Sequence, residues 1–308
     1  MDVFKRNINN LFLIFILSHL IIWTLIPTLT NNNLPLDTIE ALAWGSNLDW
    51  GFNKHPPLSA LFLEIFFNIF GPQDWAYYLL SQIFVIISFY FVFKLSNEIL
   101  DNLHLSFISV LLLEGIFFYN FTTPEFNVNI AQLPFWALTV YFTWKIFEKK
   151  EPNVFDLIFL GVFAAGGFLS KYLFLYLLIS IDLLFFYLIF INKYRKFQFT
   201  YLISLEVFLL LLIPHLVWLT NNEYITIIYG LARTDIGEFE IINHLINPSL
   251  FILKQIIILI PFFSITIPGS MPSTFPPVEV AQSTTTLPFF ILANISLVII
   301  IGALRPNT

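Results

Sequence analysis

The sequence predicts an all-α polytopic membrane protein, that is, a transmembrane helical bundle. Hydrophobic residues make up 58% of the 308 positions, charged residues make up only 11%, and the mean hydropathy is +0.82. A soluble domain contains about 25% charged residues, so this chain lacks the polar side chains to cover a soluble surface of its size. Soluble enzymes, nucleic-acid-binding proteins and disordered scaffolds are therefore excluded.

Nine apolar runs approach the length of about 20 residues that crosses a bilayer. They cover residues 11–29, 75–95, 105–121, 128–147, 155–170, 172–191, 201–220, 250–268 and 287–304. Two further segments, 36–48 and 58–70, are expected to be juxtamembrane helices in the first external loop. The second is too short to cross and carries Glu64 and Asn68, which is typical of an interfacial helix. We interpret residues 1–308 as a single transmembrane domain.

The basic residues indicate the orientation. With the N-terminus in the cytoplasm, nine of the fourteen Lys and Arg residues lie on the cytoplasmic side, as the positive-inside rule expects. These nine are Lys5, Arg6, Lys94, Lys145, Lys149, Lys150, Lys193, Arg195 and Lys196. If 58–70 were a full span, most of them would move outside, so the charges favour the interfacial interpretation.

Three basic residues, Lys54, Lys171 and Arg233, are expected on the outer side, against this bias. An anionic ligand would explain their placement. Two simpler explanations stay open. Lys171 would then be a lysine that snorkels at a helix end, and Arg233 would be a loop charge paired with Asp235 or Glu238.

The first external loop holds the densest polar cluster. Asp37, Glu40 and Trp44 follow helical spacing and so share one face of a short helix. Lys54 and His55 precede two prolines, which favour an extended segment there. By composition alone the loop also fits a solvated segment with an aromatic interfacial belt.

This loop resembles the first-loop signature of bacterial polyprenyl-phosphate-sugar glycosyltransferases, a family that includes the lipid A aminoarabinose transferases and is related to the protein O-mannosyltransferases. The residues concerned are Asp37, Trp44, Trp50-Gly51-Phe52 and Lys54-His55-Pro56-Pro57-Leu58. Later stretches are similar to further motifs in the same order: Thr122-Thr123-Pro124-Glu125, Leu169-Ser170-Lys171-Tyr172, and Trp218 with Asn221 and Arg233. The chain departs from the signature at two positions. Thr38 replaces the second acid of the usual pair, and Lys54 stands where an acid often precedes His-Pro-Pro.

The resemblance implies a GT-C-like fold and transfer of a sugar, with inversion, at the periplasmic face of the bacterial inner membrane. The implied partners are a polyprenyl-phosphate sugar donor, a lipid or glycolipid acceptor such as lipid A, and membrane lipids, with no nucleic acid. Asp37 is the implied catalytic residue: it takes the proton of a hydroxyl acceptor, or orients a phosphate acceptor that is already ionised.

The departing lipid phosphate needs positive charge or hydrogen-bond donors near apolar surroundings. Substrate and phosphate binding is expected from Lys54, His55, Glu125, Lys171, Tyr172 and Arg233. No cofactor is assigned with certainty. If a divalent cation takes part, His55 and Glu125 are the candidate ligands, although catalytic zinc usually has three protein ligands.

Two other classes of function stay open. Glu114, Asp182 and Glu206 lie inside predicted spans and would form the proton path of a secondary transporter or lipid flippase. The chain is also short for the family at its C-terminus, so an inactive, truncated relative that binds lipid is the other alternative. His19, likewise inside a span, is interpreted as a neutral or hydrogen-bonded packing residue. His215 follows Pro214, where a helix kink frees a backbone carbonyl that His215 could satisfy.

Overall fold

A computed structural model describes residues 2–149, 151–194, 196–233, 246, 248–250 and 252–254, with side chains from residue 7 onward. Within these residues all regular secondary structure is helical. The predicted span 287–304 and most of the predicted span 250–268 lie outside the described residues, so the nine-span layout stays a proposal.

Ten α-helices make up the described fold. They are α1 (Asp2–Thr30), α2 (Leu36–Gly45), α3 (Leu58–Phe70), α4 (Asp74–Leu100), α5 (Leu103–Glu114), α6 (Val128–Glu148), α7 (Val154–Ser170), α8 (Leu175–Phe186), α9 (Leu202–Asn221) and α10 (Ile225–Ala232). Four helical stretches are long and apolar enough to cross a bilayer: Asn7–Thr30, Asp74–Leu100, Tyr172–Ile191 and Phe199–Asn221. The prediction of an all-α membrane bundle is thus confirmed.

The helices pack in series around α4 and α6. Helix α1 packs on α4, α4 on α5 and α6, α6 on α7, and α7 on α9. The main core contains fully buried aromatic side chains such as Phe89, Tyr119 and Phe174. Asn127 and Asn153 cap α6 and α7, because their side-chain oxygens accept backbone N–H groups that the first helical turn leaves without partners.

Helix α5 ends earlier than the predicted span 105–121. It stops at Glu114, and a connection, residues 115–127, which contains one short 3-10 helix at Phe117–Tyr119, leads to α6. The side-chain amide of Asn120 donates to the Glu114 carbonyl at 2.6 Å, and this local bond competes with helix continuation. Helix α2 likewise ends at Gly45 rather than at residue 48, where the Ser46 hydroxyl donates to the Ala43 carbonyl at 2.9 Å.

One end of the bundle gathers the polar segments. We call it the site end and define it as residues 31–57, 115–127, 171–174 and 222–233. Long-range hydrogen bonds connect these segments with one another and with the adjacent ends of α6 and α9.

Candidate active site

Helix α2 is anchored through its first turn to the connection before α6. The backbone N–H of Asp37 donates to Glu125 Oε1 at 3.2 Å, and the Thr38 hydroxyl donates to the Phe126 carbonyl at 3.1 Å. The structure therefore places Glu125 beside Asp37, where a carboxylate also suits the positive end of α2. Glu125 was expected to bind substrate, phosphate or a divalent cation; its contact in the structure is with the start of α2.

The Asp37 carboxyl has both carboxylate and cationic neighbours. Desolvation and the nearby Glu40 raise its pKa above the ordinary value of 3.8, while Lys54, a hydrogen bond from Asn127 and Lys171 oppose that rise. Burial and Asp37 likewise raise the pKa of Glu125. A carboxylate with a raised pKa is a stronger base than an ordinary Asp, which suits proton abstraction.

Lys171 lies between α7 and α8, and its ammonium donates to the Asn129 side-chain oxygen at 2.5 Å. Burial and the nearby Arg233 lower the pKa of Lys171 to about 8, while Asp37 opposes the shift. Such a lysine has exchanged most of its hydration for protein contacts, so an anion beside it would meet a strong and weakly screened charge.

Lys54 forms an ion pair with Glu40, with 2.5 Å between Nζ and Oε1, and each side chain is about one-third exposed. The hydrogen bond to Glu40 raises the pKa of Lys54, so the amine stays charged. The ion pair joins the extended segment before the prolines to α2.

His55 was expected to bind substrate or phosphate, and its surroundings decide whether its ring is a cation or neutral. Burial, together with Lys171, Lys54 and Arg233, lowers its pKa to about 4. The imidazole is therefore neutral near pH 7 and offers an N–H dipole rather than a charge. Its ring lies edge-on to Trp44, with 5.9 Å between centroids.

Arg233 follows α10 and is exposed. Its guanidinium lies 5.9 Å from the centre of the Tyr229 ring. Arg233 also contributes to the lowered pKa of both Lys171 and His55, which brings it into the same cluster. Its alternative partners, Asp235 and Glu238, lie outside the described residues.

A fully buried histidine connects Tyr172 to the first loop. His215 Nδ1 lies 2.5 Å from the Trp50 carbonyl oxygen, and Nε2 lies 2.7 Å from the Tyr172 hydroxyl. A carbonyl only accepts, so Nδ1 carries the proton, and in the neutral ring Nε2 accepts from Tyr172. The Tyr172 hydroxyl thus already donates its hydrogen bond to His215 Nε2. Toward a substrate Tyr172 presents lone pairs, which suit a sugar hydroxyl better than the phosphate oxygen expected from sequence.

The two residues that follow that carbonyl, Gly51 and Phe52, are also fixed. Trp218 stacks on His215 with 6.2 Å between ring centroids, and its indole covers Gly51. The Thr226 hydroxyl donates to the Phe52 carbonyl at 2.5 Å. Side chains of α9 and α10 therefore hold three consecutive loop residues just before Lys54 and His55.

Gly51→Ala is expected to destabilise this arrangement, because a Cβ at residue 51 would overlap the Trp218 indole. Overpacking of this kind costs about 1–3 kcal/mol. The measurement is thermal unfolding in detergent. Gly230→Ala in α10 is the matched control, since a Cβ at residue 230 meets no described atom within 4 Å. This substitution also replaces a glycine inside a helix, which favours the helix. Equal melting temperatures for the two variants would contradict the overlap.

The metal interpretation finds little support in this donor set. Among the described residues, no three His, Asp or Glu side chains come together in a way that could hold a metal ion. Asp37 and Glu125 are neighbours, and Glu125 already accepts the Asp37 N–H. These residues do not fit a catalytic metal of the usual three-ligand kind, and no step below depends on one.

Sequence reasoning missed several residues that complete the cluster. Asn127 caps α6 and hydrogen-bonds Asp37, whereas Asn129 binds Lys171. Their positions just before and within the first turn of a helix were the available signal, since such amides commonly cap helices. His215 was expected to satisfy a backbone carbonyl freed by the kink at Pro214; it contacts the Trp50 carbonyl instead. Its three-residue spacing from Trp218 indicated a shared helix face, but not the contact with Trp50.

Comparison with protein families gives one match. The model of the family described as dolichyl-phosphate-mannose-protein mannosyltransferase matches residues 54–218, more than half of the chain. No curated protein and no solved structure matched. The matched range includes Lys54, His55, Glu125, Lys171 and Tyr172, and it ends at Trp218. The chain therefore belongs to the dolichyl-phosphate-mannose-protein mannosyltransferase family and is a multi-pass membrane glycosyltransferase that takes its sugar from a polyprenyl phosphate.

Proposed function

We propose that this protein moves a sugar from undecaprenyl phosphate to a lipid acceptor such as lipid A, at the periplasmic face of the bacterial inner membrane. The observation that carries the proposal is the site end itself. There Asp37 lies within electrostatic range of Lys54 and Lys171, and Lys171 lies within range of Arg233.

In the proposed reaction Asp37 acts on the acceptor, and the cations act on the leaving phosphate. The acceptor oxygen attacks the anomeric carbon of the sugar from the side opposite the phosphate, and the bond from that carbon to the phosphate oxygen breaks. With a hydroxyl acceptor, Asp37 takes the proton as the new bond forms; with a lipid A phosphate, Asp37 orients a nucleophile that is already ionised. The sugar thereby inverts its configuration.

The leaving polyprenyl phosphate gains one negative charge in this step. Lys171 and Arg233 are the groups proposed to stabilise that charge, with Arg233 able to contact two phosphate oxygens. The neutral His55 supplies a hydrogen-bond donor. The amino end of α6, which carries Asn127 and Asn129, adds the positive end of a 21-residue helix. Fixed groups of this kind stabilise developing charge without reorganising during the reaction.

The route by which substrates would reach the site supports a lipid acceptor. The site end lies where apolar helices end, and large apolar side chains such as Leu25, Leu29 and Leu36 are exposed nearby. Two lipid substrates can approach along the bilayer and bring their head groups to the same level. The aminoarabinose and mannose donors remain two candidates within this proposal.

The test is mass spectrometry of lipid A from a bacterial host with and without the gene, combined with transfer assays in proteoliposomes. The assays use undecaprenyl-phosphate mannose and undecaprenyl-phosphate aminoarabinose with lipid A as acceptor. The expected result is one added sugar on lipid A with one of the donors. Transfer only to protein would overturn the lipid acceptor, and translocation of the donor without any transfer would overturn the enzymatic proposal.

A further inference from the structure

A buried polar network links α1 and α4 to the connection between α5 and α6. His19 Nε2 lies 3.1 Å from Gln82 Oε1, and Gln82 Nε2 donates to the Thr123 hydroxyl at 3.1 Å. That hydroxyl donates to the Asn120 carbonyl at 2.6 Å. The Ser81 hydroxyl donates to the Thr123 carbonyl. His19, Ser81, Gln82 and Thr123 are each at least 96% buried.

The polarity of the network is fixed by its end groups. The Asn120 carbonyl only accepts, so the Thr123 hydroxyl donates to it and accepts a hydrogen bond from the Gln82 side-chain amide. Gln82 then presents its carbonyl oxygen to His19, and His19 Nε2 must carry a proton. The other ring nitrogen lies 3.0 Å from Glu114 Oε2. Each hydrogen bond from the Asn120 carbonyl to His19 Nε2 therefore has one defined donor and one defined acceptor.

The connection needs this support because of its depth. The 12 residues of α5 rise about 18 Å, which is short of a hydrocarbon core about 30 Å thick. Residues 115–127 follow with only one short 3-10 helix, Phe117–Tyr119. Irregular backbone inside a membrane bundle is tolerated only where protein or water satisfies its polar groups. Ser81 and Gln82 of α4 supply those partners inside the bundle.

The far end of the same connection anchors α2. Two residues after Thr123, Glu125 accepts the Asp37 N–H, and the next carbonyl, of Phe126, accepts from Thr38. We propose that Ser81, Gln82 and His19 are positioning residues, which hold the α5–α6 connection at the depth that places Asp37 against its substrate. The functional part of this inference rests on the proposed role of Asp37.

The test compares two serines of α4. Ser81 and Ser88 are both buried, and each loses only a hydroxyl on replacement by Ala; Ser88 bonds the Phe84 carbonyl of its own helix, whereas Ser81 bonds the connection. The chain contains no cysteine, so Leu36→Cys, at an exposed position next to Asp37, carries a single spin label. Ser81→Ala is expected to increase the mobility of this label, and Ser88→Ala to leave it unchanged.

Transfer kinetics provide the second readout, with undecaprenyl-phosphate mannose and undecaprenyl-phosphate aminoarabinose as the assayed donors. Ser81→Ala should lower kcat about tenfold, with KM for the donor within about twofold, because displacement of a catalytic group slows the chemical step. Thr123→Val should behave like Ser81→Ala, and Thr123→Ser, which keeps the hydroxyl, should restore both readouts.

The outcomes separate the inference from the proposed function. Identical label mobility in Ser81→Ala, Thr123→Val and Ser88→Ala would overturn the positioning role, even if Asp37→Asn abolishes transfer. A label loosened by Ser81→Ala alongside full transfer by Asp37→Asn would instead overturn the catalytic role of Asp37 and leave the mechanical coupling standing.

Discussion

Asp37→Asn is expected to lower kcat for a hydroxyl acceptor by about 100- to 10,000-fold, the range that a general base contributes. The substitution keeps the shape of the side chain and the backbone bond to Glu125, so donor KM should change little. Thermal unfolding should change little, because Asp37 is exposed and its charge is repelled by Glu40 but attracted by Lys54 and Lys171. The loss should be smaller for a phosphate acceptor, which has no proton to give up.

The control is Glu40→Gln, which removes one negative charge from the same face of α2. If net charge alone mattered, both variants would lose the same activity; the base role predicts that Glu40→Gln loses less than tenfold. Transfer by Asp37→Asn within about threefold of the unmodified enzyme would remove Asp37 from the mechanism.

The pH profile offers a separate check on Asp37. The base must be ionised, so activity falls as the pH drops through its pKa, which desolvation and Glu40 raise. In Glu40→Gln the repulsion is lost and Lys54 is freed from its ion pair; both changes favour ionised Asp37. The acid limb of kcat/KM should therefore move to lower pH, and a shift to higher pH would contradict the assignment.

The fold class was predictable because it depends on quantities that a sequence displays directly. The length of an apolar run and the scarcity of charge required membrane helices at residues such as 75–95 and 201–220. The end of α5 was not predictable in the same way. Apolar residues continue through Phe117, Phe118 and Phe121, and only the three-dimensional capture of the Glu114 carbonyl by Asn120 shows where the helix stops.

The candidate site also contains residues that the sequence reveals and contacts that only the folded structure reveals. Asp37, Lys54 and Lys171 were recognisable because polar residues interrupt apolar surroundings in a known order. His55 was not recognisable as neutral, because its pKa is set by burial and by three cations, two of which, Lys171 and Arg233, lie on distant segments. His215 and Trp50 are 165 positions apart, and Thr226 and Phe52 are 174 apart. No local pattern encodes such contacts, since they depend on how α9 and α10 pack against the first loop.

Lys171→Gln is expected to lower kcat/KM by about 100- to 1,000-fold, the loss typical of removing one donor aimed at a developing anion. For two reasons we expect a larger loss of kcat/KM from substituting Lys171 than from substituting the other cations. Its amine is desolvated, so its charge acts through a low local dielectric, and Asn129 fixes its direction at 2.5 Å. Lys54→Gln is the matched control. Because Lys54 is already paired with Glu40 and is about one-third exposed, its loss should cost less than tenfold.

Lys171 is also expected to set the alkaline limb of the pH profile of kcat/KM. Its pKa of about 8 means that the free enzyme loses this charge as the pH rises through 8, so kcat/KM should fall there. A bound phosphate favours the ammonium form, so the limb in kcat should lie at higher pH. Lys171→Arg remains charged throughout this range; its maximum rate is expected to be lower, since the guanidinium cannot repeat the ammonium geometry, but its limb near pH 8 should disappear. A limb that persists near pH 8 in Lys171→Arg would assign it to another group and leave the phosphate without its proposed partner.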